Sequence, residues 1–170
     1  MTESQTDSAE SLKQLVKQLE SEDGLARGDA REKLVKLGGH EVTRALIFEL
    51  NDPRRNVRWE AAKALISIAD PTAAPALVQH LNDEDEDIRW LAAEGLGRLG
   101  DAGLLATLNA TIRNSSDGEF CAAAHHAFKE FAKHGTHAEA MQSVLRAFAS
   151  AEPGVAIPVA AFEAIREIKC

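Results

Sequence analysis

The 170-residue chain carries 19 Lys and Arg against 27 Asp and Glu, for a net charge of −8 at pH 7. That balance argues against nucleic acid as a partner, because such binding draws on clustered Lys and Arg to displace counterions. The length allows one domain or one short stack of repeats, and abundant alanine with few aromatic residues and no Tyr favours packed helices over sheet. No basic segment precedes an apolar one near the N-terminus, and no run approaches the roughly 18 apolar residues of a membrane span. Cys121 and Cys170 have no redox or zinc spacing. The expectation is an all-α, cytoplasmic protein with reduced thiols, no membrane contact and no nucleic acid.

Residues 1–8 are polar and acidic and read as a disordered tail. Leu12, Leu15, Val16 and Leu19 then form an i, i+3, i+4, i+7 stripe with a polar back, as suits a terminal helix that faces water. Gly38-Gly39 followed by His40-Glu41 reads as a stop and a new helix start.

From Leu50 to Thr111 one unit of 31 residues is written twice, with ten identities that include Asp52/Asp83, Arg58/Arg89, Trp59/Trp90, Ala61/Ala92, Leu65/Leu96 and Asp70/Asp101. The same step links Leu15, Leu46, Leu77 and Leu108, and also Arg27, Arg58 and Arg89. A fixed period of this length marks a solenoid. Each unit should hold two helices of about 11 and 14 residues joined by a short acidic turn.

The fourth unit has one extra residue, with Phe120, Ala124, Phe128 and Phe131 on the core positions and Cys121 where the arginine stood. The fifth is the most degenerate: Ile157, Ala161, Ile165 and Ile168 align with Val57, Ala61, Leu65 and Ile68, and Pro158 falls near a helix start. The expected repeats are 9–39, 40–70, 71–101, 102–134 and 135–170, forming one domain over 9–170.

On these residues the chain resembles the HEAT repeat family, and most closely its phycobilisome lyase HEAT-like repeat subtype. The resemblance covers about residues 9–169. It implies an α-solenoid of about five two-helix repeats whose second helices line a concave binding surface, and in most members a scaffold or adaptor role. A minority of relatives are enzymes, including bilin lyases and deoxyhypusine hydroxylases. The latter place His-Glu pairs at the start of the second helix to hold two irons; here Trp59-Glu60 and Trp90-Leu91 stand at those places, so that chemistry is not expected.

The candidate partner-binding row is Trp59 and Trp90 with Lys63, Glu94, Arg98 and His126. Stacked repeats would bring the two tryptophans roughly 10 Å apart, where such large rigid side chains either anchor a partner or fill the groove between second helices. Mixed charge along the row suits a protein partner. Arg27, Arg58 and Arg89 with Asp52 and Asp83 read as a structural ladder between repeats rather than an anion site. His125, His126, His134 and His137 cluster without a firm metal pattern. Cys121 reads as a small buried hydrophobe. No catalytic residue, metal or cofactor is assigned. The expected function is a non-enzymatic protein-interaction scaffold, with a bilin-handling factor as the alternative and self-association through the apolar C-terminal helix as a further expectation.

Overall fold

The computed structural model describes residues 3–169, with side chains from 10 to 168. Ten α-helices and no strand occur among the described residues: α1 (Glu3–Gln18), α2 (Gly24–Leu37), α3 (Gly39–Glu49), α4 (Arg55–Ile68), α5 (Ala74–Gln79), α6 (Glu86–Arg98), α7 (Asp101–Asn114), α8 (Gly118–Lys133), α9 (Ala138–Phe148) and α10 (Pro153–Lys169). The fold is an all-α solenoid of helix pairs, and it divides into two compact units, Met1–Ala73 and Ala74–Cys170. α1 begins within the stretch expected to be a tail. Residues 3–8 are Glu, Ser, Gln, Thr, Asp and Ser, and acidic residues such as Glu3 and Asp7 suit a helix N-terminus. Met1 and Thr2 lie outside the described residues.

In the first unit α1 packs on α2 and α3 on α4, and α2 and α4 stack on each other. Leu19, Ala30, Leu34, Val42, Leu46, Leu50, Val57, Ala61 and Leu65 are buried between them. These are the stripes that the 31-residue step predicts. Gly38 and Gly39 have φ of +58° and +82°, so the sharp passage from α2 to α3 uses a backbone region that L side chains rarely adopt.

The first unit ends in a 3-10 turn (Pro71–Ala73), and the second opens with α5 and a 3-10 turn (His80–Asn82). α5 then stacks on α7, and α6 on α8. Two glycines permit the close approaches. A Cβ on Gly97 of α6 would lie 2.6 Å from Glu130 Cβ on α8, and one on Gly103 of α7 would lie 2.2 Å from the Leu96 carbonyl oxygen.

The fifth repeat reverses the layers. α9 packs on α8 and α10 packs on α7, so one layer holds α5, α7 and α10 and the other α6, α8 and α9. The bulk of α9 explains its place: Phe148 lies 5.9 Å from Phe128 and 5.0 Å from His125 between ring centroids. α10 meets its neighbours through Ile157, Ala161 and Ala164, which are buried. The alignment of Ile165 with Leu65 is therefore corrected: Ile165 is half-buried and Ala164 takes the third core place, whereas Ile168 is half-buried as Ile68 is. α10 also starts earlier than expected, at Pro153, which leaves Pro158 inside the helix. The outer side of α10 exposes Val155, Val159 and Phe162.

Gly103→Ala forces the α6 carbonyl and α7 apart, and overpacking of this kind costs about 1–3 kcal/mol. Urea unfolding should show that loss, whereas Gly118→Ala, whose added Cβ meets nothing within 4 Å, should change stability little.

Candidate functional site

The turn inside each of the first four repeats is held by one side chain at the start of the second helix. Arg27 donates from Nη1 to the carbonyls of Ser21 (2.7 Å) and Glu22 (3.0 Å). Arg58 does the same to Asp52 (3.1 Å) and Pro53 (3.2 Å), and Arg89 to Asp83 (2.8 Å) and Glu84 (3.4 Å). In the fourth repeat the Cys121 thiol lies 3.8 Å from the Asn114 carbonyl oxygen and 3.4 Å from that of Ser115, taking the arginine's role with a weaker donor. Cys121 is thus more than a filler, and burial followed by the Asp117 charge pushes its thiol above the usual range.

The acids of the turns cap the chain. Asp52 and Asp83 carboxylates accept from the N–H groups of Arg54 (2.8 Å) and Asp85 (2.9 Å), two residues on. Asp85 in turn caps α6 and Asp117 caps α8. Bonds from Arg54 hold the Asp52 carboxyl below its ordinary value. The bonds above tie Arg58 and Arg89 to the main chain of their own turns. Links to the next repeat run from Arg27 to Glu60 (3.9 Å) and from Arg89 to Glu119 (3.4 Å).

Arg58 and Arg89 each precede a tryptophan of the partner row. Trp59, on α4 in the first unit, is half-buried, with Lys63 Nζ 4.2 Å from its ring centroid. In the second unit Trp90, Glu94 and Arg98 follow one another at i, i+4 and i+8 along α6, and Arg98 reaches Glu94 at 3.3 Å. Trp90 is 48% exposed. Its indole N–H donates to Glu86 at 3.3 Å, and its ring meets His126 of α8 at 4.0 Å between centroids, tilted by 59°. A cavity of about 200 Å³ opens beside it, bounded by Glu86, Arg89, Trp90, Glu119, Ala122 and Ala123.

With this geometry in view, the known proteins give a direct comparison. The HEAT repeats family matches residues 43–129, half of the chain. The chain belongs to the HEAT repeats family. No curated protein matches it. Among solved structures, a designed armadillo repeat protein in complex with the peptide (KR)4 is similar at 21% identity, over 91% of this chain and 81% of that one, with a TM-score of 0.48. A second designed armadillo repeat protein matches at 20% identity over 93% and 87% of the two chains, with a TM-score of 0.47.

Within these HEAT repeats the second unit brings Trp90, Glu94, Arg98 and His126 onto the α6 and α8 helices that form the expected row. The sequence reading missed Glu86 and Glu119. Glu86 was legible as the residue one turn before Trp90, whereas Glu119 comes in only through the packing of α8 on α6. The histidines separate: His134 lies 3.9 Å from Glu130, and His137 pairs with Asp101 at 3.0 Å. Among the described residues no three His, Cys, Asp or Glu side chains converge as a metal site, and no helix is long and apolar enough to cross a membrane. Cys170 lies outside the described residues.

Burial holds His126 below the ordinary value of 6.5, with Glu130 and Glu94 pulling upward and Lys129 and Lys133 pushing down. Burial likewise lowers His125. The fold therefore favours neutral imidazole at both places. Their stabilising contribution is present above pH 6.5 and is lost as pH falls through the lowered values. An NMR titration should place the His126 midpoint below 6.5, and Glu130→Gln should depress it further; a midpoint at or above 6.5 would contradict the burial effect.

Proposed function

We propose that this chain is a non-enzymatic, cytoplasmic protein-binding module, a scaffold or adaptor that offers the face of its second helices to a partner. Trp59 and Trp90 act as anchors, and Lys63, Glu94, Arg98 and His126 set specificity. The observation that supports this reading is the state of Trp90. It exposes about half its surface while Glu86 and His126 already fix its indole. A large aromatic ordered before binding loses little entropy on contact, which is the property that enriches tryptophan at binding hot spots.

Loss of such an anchor commonly costs about 2 kcal/mol or more. Affinity capture from native lysate with Trp59→Ala/Trp90→Ala should therefore lose a protein that the wild type retains, while circular dichroism reports an intact helical fold. Equal retention by a folded double variant would sink the proposal.

Two finer readings accompany it. Self-association would run over the exposed Val155, Val159 and Phe162 of α10. A bilin-handling role rests on the sequence resemblance to the phycobilisome lyase repeat subtype alone; colour retained on the protein after mixing with bilin and gel filtration would favour it over protein binding.

A further inference from the structure

The two tryptophans share one repeat position but sit in opposite electrostatic frames. Residues four before and four after each tryptophan lie on its own helix face. Trp59 is flanked by Arg55 and Lys63, and Trp90 by Glu86 and Glu94. At Trp59 the chain supplies the cation itself, with Lys63 Nζ 4.2 Å from the ring centroid. At Trp90 the same place holds a carboxylate.

The surroundings of Trp90 reinforce that contrast. Glu86 accepts from the indole N–H at 3.3 Å and has no cationic partner among the described residues. Its negative charge therefore stands at the mouth of the cavity. Arg89 lines the same cavity, but its Nη1 is committed to the Asp83 and Glu84 carbonyls and lies 3.4 Å from Glu119. Arg98 lies against Glu94, and Lys133 against Glu130 one turn beyond His126. His126, whose ring meets that of Trp90, is buried enough to favour its neutral form. Ala122 and Ala123 also line the cavity, and their small side chains leave about 200 Å³ open. An electron-rich ring beside unneutralised carboxylate attracts a cation of matching size.

We propose that the Trp90 groove receives a lysine or arginine side chain from a basic segment of a protein partner, the cation lying against the indole beside Glu86. This assignment rests on the protein-binding reading of the second-helix face and names the partner's chemistry there. The net charge of −8 favours such a partner at longer range as well.

The test uses the full ¹⁵N-labelled chain, whose two tryptophans give two indole N–H signals that Trp59→Phe distinguishes. The probe is a capped decapeptide of alternating arginine and serine, with an arginine-to-glutamate counterpart and spermine as controls. The Trp90 signal should move and saturate with the basic peptide and stay still with the acidic one. Glu86→Gln, a change on an exposed side chain, should weaken binding about three-fold, in line with loss of a surface ion pair while the cation–π contact remains. Raised salt should weaken it too.

A Trp90 signal that does not move, an equal response to the acidic peptide, an unchanged affinity in Glu86→Gln, or spermine matching the peptide would each overturn the assignment. Failure here and failure of the binding face are separable in native lysate. If only this inference fails, Glu86→Gln/Glu94→Gln captures the wild-type partner undiminished while Trp90→Ala loses it. If the face itself is wrong, Trp90→Ala retains it as well.

Discussion

The contact on which the architecture depends is the bond from the first turn of each second helix back to the carbonyls of the preceding interhelical turn. Helix ends leave carbonyls without intrahelical donors, and a guanidinium presents several donors in a fixed plane. Arg27, Arg58 and Arg89 meet this need in three consecutive repeats at matching offsets. A charged donor to such a carbonyl contributes about 1.5–3 kcal/mol, a sizeable share of what a repeat with a small apolar core can muster. The same bond fixes the rotation of the second helix about its axis. Because Trp59 and Trp90 come one residue later, that rotation keeps them out of the fully buried core.

This coupling explains how one sequence period can serve both stability and recognition. The core positions Ala61, Leu65, Ala92 and Leu96 are filled the same way in both copies and are fully buried. The positions around the tryptophans are free to differ, and they do so in sign: basic around Trp59 and acidic around Trp90. A solenoid thereby keeps its packing constant while each repeat presents its own local chemistry.

Much of the fold was legible in the sequence because a period of 31 residues repeats core and turn together. The helix pairs and the burial of Leu46, Leu77 and Leu108 follow from it, and the Gly38-Gly39 stop follows from residue type. The reversed fifth repeat does not. An apolar stripe shows which side of a helix is buried, not which neighbour buries it, and α9 and α10 exchange layers through contacts of Phe148 and Ala164 that no period encodes. Gly97 and Gly103 were silent for a related reason, since their value lies in a neighbour's distance. In the candidate site, Trp90 and its i+4 and i+8 companions could be read from helix geometry. Its stacking on His126 and the place of Glu119 required the packing of α8 on α6. The role of Cys121 was hidden by residue type, since a thiol standing for a guanidinium shares only its ability to donate.

The most direct test of the central claim is amide hydrogen exchange on Arg89→Met, which keeps an apolar stem and removes the guanidinium. Faster exchange confined to the turn at 83–85 and the first turn of α6, with α9 and α10 unchanged, is the expected result. Exchange in that turn indistinguishable from wild type would show that the arginine does not hold it, and would remove the basis on which the helix rotation and the placement of Trp90 are explained.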